Sequence, residues 1–272
     1  MSVLVQLSDG LGNQMFQYAA GYALAARLGT ECRVNDAYYA RPQEKPRIYQ
    51  LDRFVGAPMR ITAADLRKKF KLFKEEKEFA FDRRHLGFSG DVYLVGYFQS
   101  EKYFGNVPGE IRSLFGFKGA PNPENAEMAA RIARTNAVSV HVRRGDYVTC
   151  PWASENFGTC SLDYYINAFR TLTQRLAKPV FFVFSDDPQW CKENIHPPAD
   201  TVYVEHNHKG PASEDMRLMS LCRHHILANS SFSWWGAWLN PSPQKIVVAP
   251  KTWMAAPSVR ILDLIPEAWL QL

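Results

Sequence analysis

The chain has 272 residues, 46% of them hydrophobic and 22% charged, and a formal net charge of +5. That length permits one large or two medium domains with ample core, and the ordinary hydrophobic fraction with mixed charge excludes a disordered chain. The mild basic excess suits an anionic small molecule or weak attraction to acidic lipid, and is too diffuse to argue for a nucleic-acid partner.

In chain order, Ser2–Leu7 (SVLVQL) reads as a buried strand, with no basic and apolar leader ahead of it. Gly10-Leu11-Gly12-Asn13-Gln14 comes next, then an alanine-rich helix from about Gln14 to Leu28 that Gly29 stops. Strand, glycine turn and helix form the setting of a dinucleotide fingerprint, but the third glycine of GxGxxG would fall at Met15. The glycines read either as a tight turn presenting Asn13 and Gln14 to a ligand or as a turn alone. Glu31–Asn35 is a second strand. From Arg41 to Gly90 the pattern is irregular, and within it Ala63–Lys77, with KKFKLFKEEK, reads as a mixed basic helix. Its interleaved glutamates favour a solvated face over a membrane face. Asp91–Gln99 is a strand and Glu110–Phe115 a short helix. The linker is placed at Gly116–Pro123 (GFKGAPNP), which divides the chain into 1–118, 119–250 and a tail, 251–272, that packs back on the first domain.

Beyond the linker the rhythm is regular. Asn122-Pro123 opens a helix that runs to about Arg134, and a strand ending near Val142 comes after it. Then come a helix from Leu162 to Ala177, the strand Val180–Phe184, a short helix from Asp187-Pro188 through Glu193, and the strand Thr201–Val204. Ser213–Leu221 is a helix, His225–Ala228 a strand, Ser233–Leu239 a short helix and Lys245–Ala249 a strand. Such alternation argues for a parallel, doubly wound sheet. The cysteines (Cys32, Cys150, Cys160, Cys191, Cys222) are odd in number and form no CxxC pair, so they read as reduced thiols. No apolar run approaches the length of a bilayer. The expectation is a cytoplasmic protein, at most peripheral to a membrane.

Each strand of the second half runs out into a polar segment. These segments are Arg143-Arg144-Gly145-Asp146, Ser185-Asp186-Asp187, Glu205-His206-Asn207-His208, Asn229-Ser230-Ser231-Phe232-Ser233 and Lys251. Parallel strands put them on one rim, where open α/β sheets bind ligands. Two arginines at the end of a buried strand are costly unless they meet a charged ligand or a carboxylate. Their planar forks suit phosphate, and a structural ion pair with Asp146 is the competing reading. Ser230–Ser233 leads into a helix whose N–H groups suit phosphate, while Ser185, Asp186 and Asp187 suit nucleoside hydroxyls or base edges. As helix caps alone, Asp187 and Ser233 need no ligand. Arg144-Gly145-Asp146 also spells an adhesion tripeptide, which would need an exposed loop tip. His206-x-His208 and Cys222-x-His224-His225 are ligand-type residues without a standard metal spacing. No GxSxG elbow, HExxH or P-loop lysine motif is present, which removes support for hydrolase and NTPase readings.

Three motifs in order, Gly10-Leu11-Gly12-Asn13-Gln14, His141-Val142-Arg143-Arg144-Gly145-Asp146-Tyr147 and Ser231-Phe232-Ser233-Trp234-Trp235-Gly236-Ala237-Trp238-Leu239, resemble the α-1,2-fucosyltransferases of glycosyltransferase family 11. That family joins bacterial enzymes to the animal blood-group H enzymes. Phe184–Asp187 and Trp190–Ile195 sit where the family has similar segments, so the match runs from residue 10 to about 250. The resemblance implies an α/β, GT-B-like fold, two Rossmann-type domains facing across a cleft, with GDP-fucose held mainly by the second. It implies that Arg144 grips the diphosphate, that His141 and Arg143 shape the site, and that Asp215 and Ser230, Ser231, Phe232 and Ser233 contact the nucleotide. Asn13 would reach across toward the sugar-phosphate. It further implies inversion at the anomeric carbon, no metal and no cofactor, and a galactose-terminated glycan attacking through its 2-hydroxyl.

This fits the chemistry the residues offer. Departure of GDP leaves an oxocarbenium-like sugar, and arginines with helix-end N–H groups stabilise the growing diphosphate charge. Asp146 is the nearest candidate for deprotonating the acceptor, or else it orients an arginine. Tyr38, Tyr39 and Tyr49 read as rings that stack on sugars or simply pack. The reading from another class is a nucleotide-sugar-binding protein without catalysis.

Overall fold

β-branched and aromatic runs flanked by glycine, proline and polar residues become strands, and the amphipathic or alanine-rich stretches between them become helices. The computed structural model describes residues 1–42, 47–208, 210–256 and 258–272. The chain divides into unit 1, Met1–Lys118 with Arg260–Pro266, and unit 2, Gly119–Val259 with Glu267–Leu272.

Unit 1 holds β1 (Ser2–Gln6), α1 (Leu11–Leu28), β2 (Glu31–Asn35), β3 (Met59–Arg60), β4 (Lys71–Lys74), β5 (Val92–Val95) and α2 (Pro108–Leu114). The strands form one parallel sheet in the order β3-β2-β1-β5-β4, so β1 is central. The helix α1 lies on it closely: a Cβ on Gly21 would sit 2.1 Å from Val5 Cγ2, a contact that only glycine permits. Gly29 ends α1 at φ 61°, the left-handed cap expected from the sequence. The basic helix expected over Ala63–Lys77 does not form. Asp65–Arg67 make one tight turn and Lys71–Lys74 pair with β5 as an edge strand. Phe73 decides this, because as a strand residue it buries against Phe88 (ring centroids 4.8 Å apart) while its lysine neighbours stay in water.

Unit 2 holds α3 (Pro123–Ala133), β6 (Asn136–Val142), α4 (Gly145–Thr149), α5 (Pro151–Asn156), α6 (Leu162–Arg175), β7 (Pro179–Ser185), α7 (Pro188–Asn194), β8 (Thr201–Val204), α8 (Ala212–Leu221), β9 (His224–Ile226), α9 (Ser231–Trp238), β10 (Val247–Ala249) and β11 (Leu270–Gln271). Its sheet is parallel throughout, ordered β11-β10-β9-β6-β7-β8. Helices cover both faces. On one, Tyr165, Phe169 and Leu172 of α6 pack on Val138, Val140, Phe181 and Val183. On the other, Ile132 of α3 and Leu218 and Met219 of α8 pack on Ala137, Phe182 and Phe184. Burial on both faces accounts for strands read as continuous apolar runs, as parallel sheets require. The helices α4 and α5 and the strand β11 were not expected from the sequence. Two parallel sheets flanked by helices are Rossmann-type units, and together they make the fold GT-B-like.

Candidate active site

The register of β6 against β7 builds the centre of the rim. Val142 lies opposite Ser185, so the next residues, Arg143 and Asp186, leave the sheet side by side. Arg143 Nη1 pairs with Asp186 at 2.7 Å, and its Nη2 donates to Asp146, which α4 brings back within one turn. Burial works against the Arg143 charge, but Asp186 and Asp146 outweigh it and hold its pKa above the usual value. The Arg144 backbone N–H donates to Asp186 Oδ1 (2.8 Å). Between them, Gly145 sits at φ 22°, and a Cβ there would lie 2.4 Å from Asp186 Oδ2. The adhesion tripeptide is thus a strand-to-helix junction closed by an ion pair, not a loop tip.

Arg144 is held differently. Its Nε donates to Asp187 Oδ2 (3.1 Å) and its guanidinium lies over the Trp190 ring, 3.8 Å from the centroid. Asp187 is itself fixed, capping α7 through Trp190 N–H (3.2 Å) and donating its own N–H to Ser185 Oγ (2.9 Å). Among the described residues the two Nη groups of Arg144 have no partner, so the outer edge of the fork faces the rim unspent. In the sequence, Trp190 stands out only as part of the segment Trp190–Ile195 that resembles the family. Its role as the plate under Arg144 has a signal in hindsight, its place three residues after a helix-capping aspartate.

Other predicted residues group around this centre in different ways. His141 is buried, with its Nδ1 lacking a partner among the described residues, and its ring is 5.4 Å from Phe232. Burial and then the Arg143 charge push it down to about 3, so it is neutral at physiological pH. Ser230 caps α9 through Phe232 N–H (3.3 Å), and Ser231 opens that helix. Ser233 is fully buried, its hydroxyl turned inward to the carbonyls of Ala228 and Ser230, both at 3.0 Å. Asn229, at the same strand end, spends its amide on the carbonyls of Phe157, Gly158 and Trp253.

Asp215 belongs to a second polar cluster. Its Oδ1 accepts from Asn207 (2.9 Å), whose amide also exchanges bonds with Asn125, and His206 joins through Asn125 Oδ1. Burial pushes the Asp215 carboxyl up to about 6, against the pull of Asn207. Of the other histidines weighed as metal ligands, His224 and His225 are spent: His225 between Ser139 (2.8 Å) and Asn240 (3.0 Å), His224 on the Ile246 N–H (3.0 Å). Among the described residues no group of three or more His, Cys, Asp or Glu is placed to hold a metal ion. No helix there is long and apolar enough to cross a membrane.

On unit 1, Asn13 lies in the first turn of α1 and its Oδ1 accepts from Gln99 (2.8 Å). Gln14, read as a ligand-facing residue, is instead fully buried, its amide bonded to Asp9 O, Ile48 O and Gln50 N, each at 2.9 Å.

A GT-B-like pair of Rossmann units, one with a planar cationic fork at the end of its central strand, defines a class that handles activated, anionic donors. The sequence pattern of glycosyl transferase family 11 matches residues 2–270, and the chain belongs to that family. Relatives include an Escherichia coli alpha-1,2-colitosyltransferase, 35% identical over 100% of this chain and 99% of its own. The Bos taurus galactoside alpha-(1,2)-fucosyltransferase 2 is 30% identical over 95% of this chain and 74% of its own. Solved structures of like fold include fucosyltransferase NodZ from Bradyrhizobium, with a TM-score of 0.51 at 14% identity over 88% of this chain and 93% of that one. An Arabidopsis thaliana FUT1 mutant bound to GDP gives 0.52 at 11% identity over 91% and 70%. The protein is a glycosyltransferase.

Proposed function

We propose that this glycosyltransferase moves L-fucose from GDP-fucose to the 2-hydroxyl of a galactose in a glycan acceptor, with inversion and without a metal ion. The observation that carries the donor half is the Arg144 fork, oriented through Nε and Trp190 with its Nη edge unspent. That edge matches two phosphate oxygens and is preorganised for the charge that grows as GDP leaves. Arg143, spent on Asp146 and Asp186, fixes the loop that carries Arg144. The N–H groups at the start of α9 add to the anion site, and Asp215 contacts the nucleotide. Of the two readings of Asp146, its ion pair with Arg143 favours the orienting one.

The acceptor half rests on the family and on relatives such as the bovine galactoside α-1,2-fucosyltransferase. The experiment is transfer from GDP-fucose to a β-galactoside after exhaustive chelation, with the linkage of the product read by NMR. The expected product is an α-1,2-fucoside. A β-fucoside would sink the inverting mechanism, an α-1,3 or α-1,6 linkage the acceptor assignment, and rescue only by added divalent ion the metal-free reading. One finding favours a second donor: the full-length similarity to a colitosyltransferase. Colitose is fucose without its 3-hydroxyl, so the same rim would serve. A higher kcat/KM with GDP-colitose than with GDP-fucose decides for it.

A further inference from the structure

The carboxyl ends of the unit 1 strands form a second polar rim, and its centre is Asp9, a residue that the donor reading leaves without a task. The chain leaves the central strand β1 and turns so that Asp9 takes φ 61°, an uncommon conformation for a residue with a side chain. The turn is held from several sides. The Asp9 carbonyl accepts from Gln14 Nε2 (2.9 Å) and from the Tyr39 hydroxyl (3.1 Å). The preceding Ser8 is clasped by Gln17 through both its N–H and its hydroxyl, at 2.9 Å each.

The side chain is bracketed by phenols. Tyr97 donates to Oδ2 at 2.6 Å and Tyr38 to Oδ1 at 3.2 Å. Tyr97 is anchored in turn, its backbone N–H donating to Glu75 at 2.7 Å. Tyr38 stands edge-on to Tyr39 and Tyr39 to Tyr49, with centroids 5.1 and 6.4 Å apart. All five residues, Asp9 included, keep part of their surface in solvent.

A structural carboxylate at a strand end normally meets a cation or backbone N–H groups. Asp9 meets hydroxyls only, and among the described residues it forms no ion pair. A carboxylate has about four lone-pair directions, and two remain for a ligand. Its setting names the ligand's chemistry. Free lone pairs take hydroxyl donors, the surrounding rings offer apolar faces to the C–H side of a pyranose, and the Asp9 carboxylate itself disfavours an anion.

We propose that Asp9, between Tyr38 and Tyr97, is the hydroxyl-binding centre of a subsite on unit 1 for a neutral pyranose of the acceptor glycan. This rests on the transferase reading. It adds that the bound residue is a neutral sugar and not a uronic or sialic acid, whose carboxylate Asp9 would repel.

The test uses the full chain and two variants, Asp9→Asn and Tyr97→Phe, each checked for wild-type melting. Lactose binding is measured by saturation-transfer NMR without donor, and transfer kinetics are measured with donor. Expected are lactose signals from wild type that Asp9→Asn abolishes, and an acceptor KM raised about tenfold or more in both variants, as loss of a charge-assisted bond implies. Donor KM stays within about twofold. An unchanged acceptor KM in folded Asp9→Asn, or an equal rise in donor KM, overturns the proposal. If Asp9→Asn does not fold, Tyr97→Phe decides by the same criteria. If wild type transfers nothing, the transferase reading fails by itself. The donor-free binding then decides the subsite: lactose bound by wild type and lost in the variant upholds it, and no binding to wild type overturns it.

Discussion

The Nε of Arg144 is engaged by Asp187 and its face by Trp190, so closing its outer edge on a phosphate orders little that is not ordered already. Lysine would keep the charge and lose the fork. Arg144→Lys is expected to lower kcat/KM for the donor about 10–100-fold, the worth of a charge-assisted bond. Trp190→Ala, which removes only the plate, should cost about 3–30-fold. Steady-state kinetics on proteins with wild-type melting check both, and near-normal turnover in Arg144→Lys would remove that residue from the site. Asp146→Asn separates its two roles: as an orienter of Arg143, donor affinity and turnover fall together, and as a base, turnover falls while donor affinity holds. Adjacent arginines look equivalent in a sequence. What distinguishes them is register, since Val142 opposite Ser185 sets Arg143 against Asp186 and leaves Arg144 to Asp187. The strand-end rim was therefore legible as a group, while which fork is spent and which is open was not. Ser233 shows the same limit, because a serine that caps and a serine that packs inward are spelled alike.

Long periodic segments of unit 2, such as β6, β7 and α6, were legible because both faces of the sheet are apolar and each helix has one apolar side. The strand β4 was not, since four residues with one buried phenylalanine carry too little periodicity to oppose a lysine-rich, helix-favouring composition. The helices α4 and α5 are five and six residues long, below the length at which a pattern can show. After β4 comes Glu75, whose carboxylate accepts from the N–H groups of Tyr97 and Phe98 and so fixes the end of β5. Burial raises this carboxyl to about 7, against the pull of those two N–H groups. The folded pKa lies above the unfolded one, near 4.5, so the native state holds the extra proton between them. This contribution to stability is full below about 4.5, declines as pH rises toward 7, and is gone once pH has passed through the folded value. Glu75→Gln cannot titrate and should flatten the fall in Tm between about pH 5 and 8. Parallel Tm curves for the two proteins would show that Glu75 does not set that slope.

The strand β11 and the stretch Arg260–Pro266 give the last thirteen residues a divided allegiance. Asp263 accepts the Phe81 N–H at 2.8 Å and pairs with Lys102 in unit 1. A few residues on, Trp269 packs at a tilt against Trp234 in unit 2, with centroids 5.4 Å apart. Removing residues 260–272 should therefore weaken both units. Loss of the buried Trp269 alone corresponds to about 3–5 kcal/mol, or a fall in Tm of roughly 10 °C. Calorimetry of the truncated chain checks this, and an unchanged melting profile would refute it.

The same arrangement sets the order of events during synthesis. Unit 1 is translated to Lys118 and then waits for Arg260, roughly 140 residues later, which is about 7–30 s at ribosomal speed. During that interval the Phe79 carbonyl and the Phe81 N–H have no Leu262 or Asp263 to meet. Birth from the amino terminus cannot deliver one finished half and then the other: unit 1 is complete only once residue 266 is made, and unit 2 only six residues later, at Leu272. Recombination faces the same constraint: a hybrid that takes its first half from one relative must take residues 260–266 from that relative too, or leave the graft with a foreign last piece.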